Sequence, residues 1–232
     1  SSGIYNYSDT QSWYDKLLSE PAKVWTPQES IDIGFSEDFY FSPGKGWYYS
    51  NTNTLILGLI IEKLTGNSLE SEIQNRIVKP LRLSYTGLLT SGLDFPGTHG
   101  RGYYFGEYEE DGDYTDLFDI SWAWAAGSAY STPRELQKYA EALVKGDFLS
   151  DSLQQRRLND IILLTPNAGY GLSILKRGSF YGHNGAVPGF TSSMYHSNEH
   201  DCTVVIYFNC HLEPSPDFLF SRFMKILYGD DY

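Results

Sequence analysis

The sequence predicts an α+β domain, and three features of the chain support that fold class. Apolar residues recur at helical spacing in several stretches of the first two thirds of the chain, and after Pro166 the pattern changes to that of β-strands. A helical pattern returns at the end of the chain. Helices followed by a run of antiparallel strands are typical of layered α+β domains. We therefore expect a helical lobe over about residues 1–165, and strands with a closing helix over about residues 166–232.

Capping residues and breakers predict the first helices. Ser8 or Asp9 is expected to cap a helix that continues to Leu18, because both side chains accept hydrogen bonds from the first helical N–H groups. Prolines 21, 27 and 43 are interpreted as breakers within the loops that follow. Two further helices are predicted, one over about residues 52–64 and one from about residue 67 to Pro80. Gly66 is the expected stop between them.

The clearest helix start in the chain lies at Thr132. Thr132 and Glu135 have the spacing of a capping box, and Pro133 takes the first helical position. Gly146 is expected to close this helix. Residues 84–130, which precede it, are rich in glycine and aromatic residues and are predicted to be mostly loops.

Three strands and a last helix are predicted for the final third. The strands are expected over residues 170–175, 190–196 and 202–208. The third strand is apolar at successive positions, which is typical of a strand that is covered on both faces. The closing helix is expected to begin near Ser215 and Pro216.

Composition excludes several classes of partner. The net charge of −12 argues against nucleic acid or an anionic membrane as the main partner, because both bind through patches of Lys and Arg. No apolar run reaches the length of a transmembrane helix. Cys202 and Cys210 do not have a metal-ligand spacing, and on one straight strand they would lie roughly 26 Å apart. We therefore expect two buried free thiols, no metal and no cofactor.

Two short segments carry residues suited to chemistry. In the first, Tyr49 and Asn51 stand two residues apart at the start of an apolar helix. The phenol can exchange protons where nearby cations lower its pKa from about 10. The asparagine amide can both donate to and accept from a substrate amide. The alternative is ordinary helix capping, which is the commoner use of such a sequence.

The second segment runs from Gly182 to Phe190 and is rich in glycine. Glycine lets a ligand approach the backbone closely, and an N–H at such a strand edge can stabilise an oxyanion. His183 can act as a cation, a proton carrier or a simple donor near pH 7. A purely structural histidine in a glycine-rich turn is the alternative.

Together these segments resemble a known family. Tyr49-Ser50-Asn51 is similar to the Tyr-x-Asn motif of class C β-lactamases and related D-alanyl-D-alanine carboxypeptidases, esterases and D-aminopeptidases. His183-Asn184-Gly185 resembles that family's third motif, Lys-Thr-Gly or His-x-Gly. The stretches 127–132 and 2–5 resemble two further family segments, a Gly-rich Ser-Thr segment and the end of a His-Thr-Ser-Gly segment. The resemblance implies a β-lactamase/transpeptidase-like fold, with an antiparallel sheet flanked by helices and a helical lobe.

The resemblance also implies roles for individual residues. Tyr49 would transfer protons, Asn51 would orient the substrate amide, and the backbone N–H of Ala186 would form half of the oxyanion hole. His183 would stand where many relatives have lysine and would assist Tyr49. Asn184 and Gly185, which complete the third motif, would contribute to substrate binding. A histidine in place of lysine favours a peptidase or esterase over an efficient β-lactamase, because imidazole is only partly charged at neutral pH.

The family's first motif, Ser-x-x-Lys on a helix, has no convincing counterpart in this chain. Ser42 and Lys45 lie in a predicted proline-glycine turn, and Ser173 and Lys176 lie in a predicted strand. Neither setting brings the two side chains together as one helical turn does. We expect the nucleophile, a leading helix and the first strands to come from an N-terminal fragment of the same protein. This chain, a partial domain, would then be inactive alone.

These expectations define two competing functions. The first is a serine hydrolase that forms an acyl-enzyme on D-amino-acid peptides, small esters or amides. The alternative is a catalytically inactive, β-lactamase-like module that binds peptidoglycan fragments or a protein partner. The family resemblance further implies an extracytoplasmic location.

Overall fold

The fold, taken from a computed structural model, is described for residues 1–92, 95–105, 112–211 and 214–229. The helices of these residues are α1 (Gln11–Ser19), α2 (Pro27–Ser36), α3 (Asn51–Thr65), α4 (Leu69–Ile73), α5 (Lys79–Leu81), α6 (Pro133–Lys145), α7 (Asp151–Asn159) and α8 (Pro216–Tyr228). The strands are β1 (Gly87–Leu88), β2 (Tyr103–Tyr104), β3 (Gly112–Asp113), β4 (Ala129–Tyr130), β5 (Ile162–Thr165), β6 (Ala168–Tyr170), β7 (Leu175–Arg177), β8 (Phe180–Val187), β9 (Phe190–Ser197), β10 (Cys202–Phe208) and β11 (Cys210–His211).

The chain forms two compact units. The first comprises Ser1–Pro80, Thr86–His99 and Thr115–Tyr130, and the second comprises Leu81–Tyr85, Gly100–Tyr114 and Ser131–Tyr232. The second unit takes in α6 and α7, although their sequence precedes the expected lobe boundary near residue 165. The α+β fold class is confirmed.

An aromatic cluster forms the core of the first unit. Trp13 of α1 packs edge-on against Tyr7, at a centroid distance of 5.5 Å, and against Trp122, at 5.3 Å. The buried Tyr7 hydroxyl donates to the Trp122 carbonyl at 2.6 Å, so its polar end is satisfied inside the core. Leu55 of α3 is fully buried in the same unit.

Two glycines allow α3 to pack closely against its neighbours. A side chain at Gly58 would approach the Trp124 ring to 2.7 Å, and one at Gly34 of α2 would approach Thr52 to the same distance. Thr52 is fully buried, and its hydroxyl donates to the Tyr5 carbonyl at 2.6 Å. These contacts hold the first turn of α3 against the N-terminal segment of the chain.

A six-stranded antiparallel sheet, in the order β10-β9-β8-β7-β6-β5, dominates the second unit. Phe180 and Tyr195 on one face pack against Phe220 and Met224 of α8. The next residue of β9, His196, lies on the other face because successive side chains of a strand alternate. That face is covered by α6, which packs against β9 and β10. The sheet is therefore sandwiched between two helices.

The capping box predicted for α6 forms only in part. The Thr132 side chain accepts from the Glu135 backbone N–H, as predicted. The Glu135 carboxylate, however, accepts from the N–H groups of Ser84 at 2.7 Å and Tyr85 at 2.9 Å. A buried carboxylate thus fastens a distant loop to the start of α6. The predicted stop at Gly146 is confirmed, with φ of 97°.

Two helix predictions were wrong at their N-termini. The cap of α1 is Thr10, whose side chain accepts from the Trp13 N–H, and not Ser8 or Asp9. Pro27 does not break the chain but begins α2, and Thr26 and Glu29 form a complete capping box there. Proline at the first helical position loses no hydrogen bond, because that N–H has no partner within the helix.

The remaining boundary errors have simple physical causes. The predicted helix from residue 67 to Pro80 is instead α4, a π-helical turn (Gln74–Val78) and α5, which continues past the proline. The predicted strand 170–175 is interrupted, because Ser173 is left-handed with φ of 53° and β7 begins only at Leu175. α7 was missed, since its sequence has few apolar residues to mark a period.

The prediction that residues 202–208 form a strand covered on both faces was half right. The strand exists as β10, but each of its residues is at least partly exposed because β10 lies at the edge of the sheet. Cys202 and Cys210 are free thiols, as predicted, but both are partly exposed and not buried as expected. None of the described helices is both long enough and apolar enough to cross a bilayer.

Candidate active site

The Tyr49–Asn51 segment lies at the start of α3 and is fixed by the N-terminal segment. The Asn51 backbone N–H donates to Asn6 Oδ1 at 2.9 Å, so Asn6, and not the helix's own cap Ser50, satisfies this N–H. The Asn51 side-chain nitrogen donates to Ser8 Oγ at 3.1 Å. Asn51 thus faces the N-terminal segment with its N–H and its side-chain nitrogen.

Burial raises the pKa of Tyr49 above its ordinary value of 10.0. Its phenol also lies close enough to the buried Tyr7 to help raise the pKa of Tyr7, for which burial is the main cause. This direction is opposite to the lowering that proton exchange near neutral pH requires. Tyr49 is therefore a neutral phenol in this environment, and a cation close to it would have to reverse the shift.

The outer half of β8 is paired on one side. Residues 183–187 pair with β9 along their whole length, whereas β7 pairs with β8 only as far as Gly182. Asn184, Gly185 and Ala186 are exposed. The sequence analysis expected a glycine-rich turn beside a strand edge, whereas these residues form the outer half of strand β8, which was not among the predicted strands.

Two hairpin turns determine which backbone groups of β8 point outward. Pro188 and Gly189 form a two-residue loop, with Gly189 at φ of 88°, so the Val187–Phe190 pair that closes the loop exchanges hydrogen bonds. Hydrogen-bonded pairs alternate with non-hydrogen-bonded pairs along a hairpin. Ala186, next to Val187, is therefore in a non-hydrogen-bonded pair, and its N–H points away from β9. The two-residue loop between β7 and β8 gives the same result. Its closing pair is Arg177–Phe180, so the N–H of Gly182 points towards β7 and away from β9.

The His183 ring is held at both nitrogens. Nδ1 lies 2.7 Å from the Asn184 carbonyl oxygen, and Nε2 lies 2.9 Å from the Tyr170 hydroxyl. A backbone carbonyl only accepts, so Nδ1 carries the proton and Nε2 of the neutral ring accepts from Tyr170. Burial lowers the pKa of His183, against smaller raising effects of the Asn184 carbonyl and the Asp217 charge. We therefore expect a neutral imidazole at pH 7.

Thermal stability should fall as the pH drops below about 6.5, and His183 should cause part of the fall. Unfolded His183 titrates near 6.5, whereas the folded pKa is lower. The unfolded chain binds more protons between these two values, so stability that is complete above 6.5 is lost as the pH falls through the folded pKa. His183→Gln removes this titration. The loss of Tm between pH 7.5 and 5.5, followed by circular dichroism, should be smaller in the variant, and equal losses would contradict this assignment.

The Asn184 side chain lies on the face of β8 that is covered by α8. Its nitrogen donates to Asp217 Oδ2 at 2.8 Å. Gly185, on the other face, has Ser192 Oγ 3.2 Å from the position of a Cβ, so a larger residue would require a shift there. The substrate contacts expected of Asn184 and Gly185 remain predictions.

Each compact unit holds part of the predicted site. The first unit brings together Tyr49 and Asn51, and the second brings together residues 183–186 on one strand. That the two sets line one cleft stays a prediction.

Sequence reasoning missed two residues that contact this set. Tyr170 binds the His183 ring, and its position between Gly169 and Gly171 was a signal, because small neighbours leave an aromatic ring room to reach a partner strand. Asp217 binds Asn184. It follows the first helical proline of α8, where it was indistinguishable from an ordinary first-turn acid.

Neither Ser-x-x-Lys string forms a helical turn. Ser42 and Lys45 lie in an exposed turn with Gly44 at φ of 77°, and Ser173 precedes β7 with positive φ. Neither string therefore has the helical turn that would bring its serine and lysine side chains together. Among the described residues, no group of three or more His, Cys, Asp and Glu side chains is placed to bind a metal ion.

The helix-flanked antiparallel sheet with its one-sided His-x-Gly strand, and the Tyr-x-Asn start of α3, are features of the β-lactamase fold. The Beta-lactamase family profile matches residues 2–221. The chain belongs to this family, which includes penicillin-binding proteins and D-amino acid amidases.

One curated relative and two solved structures show how similar this chain is to individual members of the family. Penicillin-binding protein 4* of Bacillus subtilis (strain 168) is 25% identical over 206 residues, which are 81% of this chain and 45% of that protein. A D-stereospecific amidohydrolase from Streptomyces sp. has a TM-score of 0.88 at 28% identity, covering 98% of this chain and 70% of that one. The D-amino acid amidase of Ochrobactrum anthropi SV3, solved with D-phenylalanine, has a TM-score of 0.74 at 26% identity, over 90% and 62% of the two chains. This chain spans less than half the length of penicillin-binding protein 4*.

Proposed function

We propose that the protein containing this chain is a serine hydrolase that forms an acyl-enzyme on D-amino-acid amides and peptides or on small esters. The outer half of β8 carries the proposal, because it offers a backbone edge to which an extended substrate can add as a strand. The similar proteins support the D-amino-acid substrate class, since one is a D-stereospecific amidohydrolase and another a D-amino acid amidase. The resemblance to penicillin-binding proteins supports an extracytoplasmic location.

Ala186 and His183 have distinct roles in this proposal. The outward N–H of Ala186 donates to the oxyanion that forms when the substrate carbonyl is attacked. The neutral His183 orients substrate and proton donors without adding a positive charge, so substrates that depend on a carboxylate contact bind weakly. This favours amides and esters over β-lactams.

Tyr49 and Asn51 serve the same reaction from the start of α3. Tyr49, as a phenolate stabilised by a nearby cation, takes the proton of the nucleophile and then, as a phenol, gives that proton to the leaving group; burial favours the neutral phenol of the second step. The Asn51 nitrogen is engaged by Ser8, so its carbonyl oxygen is the group that accepts from the substrate amide.

The nucleophile comes, in this proposal, from a Ser-x-x-Lys helix outside these 232 residues. Two surfaces of the second unit suit an added segment. β10 is an edge strand, and α8 exposes Phe223, Ile226 and Leu227. The lysine of that helix also provides the cation that Tyr49 needs to accept a proton.

A catalytically inactive binding module is the second candidate. It is favoured by the absence of a helical Ser-x-x-Lys turn from the described ranges of this chain. Such a module would bind peptidoglycan fragments or a protein partner along β8 without forming a covalent bond. The presence of a reactive serine therefore separates the two functions.

Covalent labelling tests the proposal. The protein, expressed with whatever sequence precedes residue 1 in its gene, is treated with fluorescent penicillin and with a fluorophosphonate, then analysed by intact mass and peptide mapping. We expect one adduct, on a serine followed three residues later by lysine, and none after heat denaturation. A protein that takes up neither probe would overturn the hydrolase assignment and favour the binding module, whereas labelling at Ser42 or Ser173 would overturn the assignment of the nucleophile to a Ser-x-x-Lys helix outside these residues.

A further inference from the structure

Beyond His183, whose ring binds Tyr170, the segment of β8 up to Val187 has few restraints of its own. It forms strand hydrogen bonds only with β9, and its middle residues, Gly185 and Ala186, are small and exposed. Glycine adds conformational freedom, and one-sided pairing leaves half of the backbone groups without a strand partner. A backbone donor on such a segment needs a fixed point close by.

The side chain of Asn184 supplies that fixed point by binding Asp217 in the first turn of α8. The Asn184 nitrogen donates to Asp217 Oδ2 at 2.8 Å. A carboxylate accepts through both oxygens, so the amide is oriented with its nitrogen towards α8. Asn184 is two residues from Ala186 on the same strand, so the backbone N–H groups of both residues point away from β9.

Asp217 is itself held from two other strands. Arg177 of β7 donates to Asp217 Oδ2 at 2.8 Å, and the hydroxyl of Tyr195 of β9 donates to Oδ1 at 2.9 Å. Tyr195 is fully buried, and Arg177 also donates to its hydroxyl at 3.1 Å. Both carboxylate oxygens are therefore engaged, and three strands converge on one side chain.

We propose that Asp217 is a positioning residue, which fixes Asn184 and thereby sets the position of the β8 backbone at Ala186. It acts through Asn184 and does not contact the substrate. The inference rests on the proposed function only for its catalytic consequence. Oxyanion donors must be held within about 0.5 Å of the productive geometry, so a loosened β8 lowers turnover even where the fold survives.

Hydrogen–deuterium exchange tests the tether without requiring activity. The variants Asn184→Ala and Asp217→Asn are compared with Ser215→Ala, which removes the α8 cap that accepts from the Phe218 N–H and leaves the tether intact. We expect the amides of His183, Gly185 and Val187, which bond to β9, to exchange about tenfold faster in the first two variants and at the wild-type rate in Ser215→Ala. Equal exchange in all four proteins would overturn the proposal.

Kinetics then separate positioning from general stability. In the active protein, Asn184→Ala and Asp217→Asn should lower kcat about tenfold and change KM less than about threefold, because the oxyanion contact strengthens in the transition state. Ser215→Ala should lower Tm and leave kcat unchanged. A kcat loss in Ser215→Ala equal to that of Asp217→Asn would reduce Asp217 to a stabilising role and overturn the proposal.

An exchange of the two side chains provides a rescue. Asn184→Asp alone places two carboxylates in contact and should lower kcat more than Asn184→Ala does. Combining Asn184→Asp with Asp217→Asn restores one donor and one acceptor, and should recover at least part of kcat. A double variant no better than Asn184→Asp would contradict the direct contact. Should the wild type fail to acylate while β8 exchange still responds as expected, the hydrolase proposal falls and the tether stands.

Discussion

Replacing Tyr49 by phenylalanine should slow acylation by about a hundredfold. A positioned general acid or base contributes typically 10²–10⁴ in rate, and this substitution removes the proton-transferring oxygen while it retains the ring. The half-buried ring keeps its packing, so Tm should change little. The measurement is the rate at which fluorescent penicillin or a D-amino-acid ester acylates the active protein, wild type against variant.

Tyr48→Phe is the matched control for this prediction. The exposed Tyr48 hydroxyl lies 3.4 Å from Asp9 Oδ2 and belongs to a surface contact, so its loss should leave acylation within about twofold of wild type. A Tyr49→Phe protein that acylates at the wild-type rate would remove Tyr49 from the mechanism. Equal losses in the two variants would point to damage of the α3 start and not to lost chemistry.

Local signals in the sequence were sufficient for several helix ends and misleading for others. The stop of α3 at Gly66, with φ of 72°, and the start of α6 at Thr132 follow from residues within one turn of the helix end. Pro27 was misinterpreted because proline both breaks helices and begins them. The Glu29 that lies three residues after Thr26 was the signal that distinguishes these two uses.

The site could be predicted as two segments but not as a geometry. Motif letters located Tyr49 and His183, because each segment is contiguous in the chain. Which backbone N–H groups of β8 point outward, by contrast, depends on which residues of β7 and β9 pair with it. The contacts of Tyr170 with His183 and of Asp217 with Asn184 join residues that are 13 and 33 positions apart. Such pairs follow from strand and helix packing, for which single residues carry no signal.

The direction of the backbone N–H groups of β8 leads to the second large effect, which is the loss of activity expected in Ala186→Pro. Proline has no N–H, and the N–H of Ala186 points away from β9, so the substitution removes the oxyanion donor without removing a bond of the sheet. The preceding Gly185 has no Cβ to collide with the proline ring. Loss of one oxyanion donor typically costs 10²–10³ in kcat, about 3–4 kcal/mol of transition-state stabilisation.

Gly185→Pro distinguishes an outward N–H from an inward one. The N–H of Gly185 points towards β9 and bonds to it. Proline at this position should therefore break the β8–β9 ladder and lower Tm markedly. Ala186→Pro should instead remain folded and lose turnover, as measured by circular dichroism and acylation rate. The reverse pattern, with residue 185 tolerant and residue 186 unfolded, would mean that the oxyanion donor has been assigned to the wrong residue. The two variants place proline at adjacent positions of one strand, so they differ in the direction of the backbone N–H and in the contact that a residue at 185 makes with Ser192.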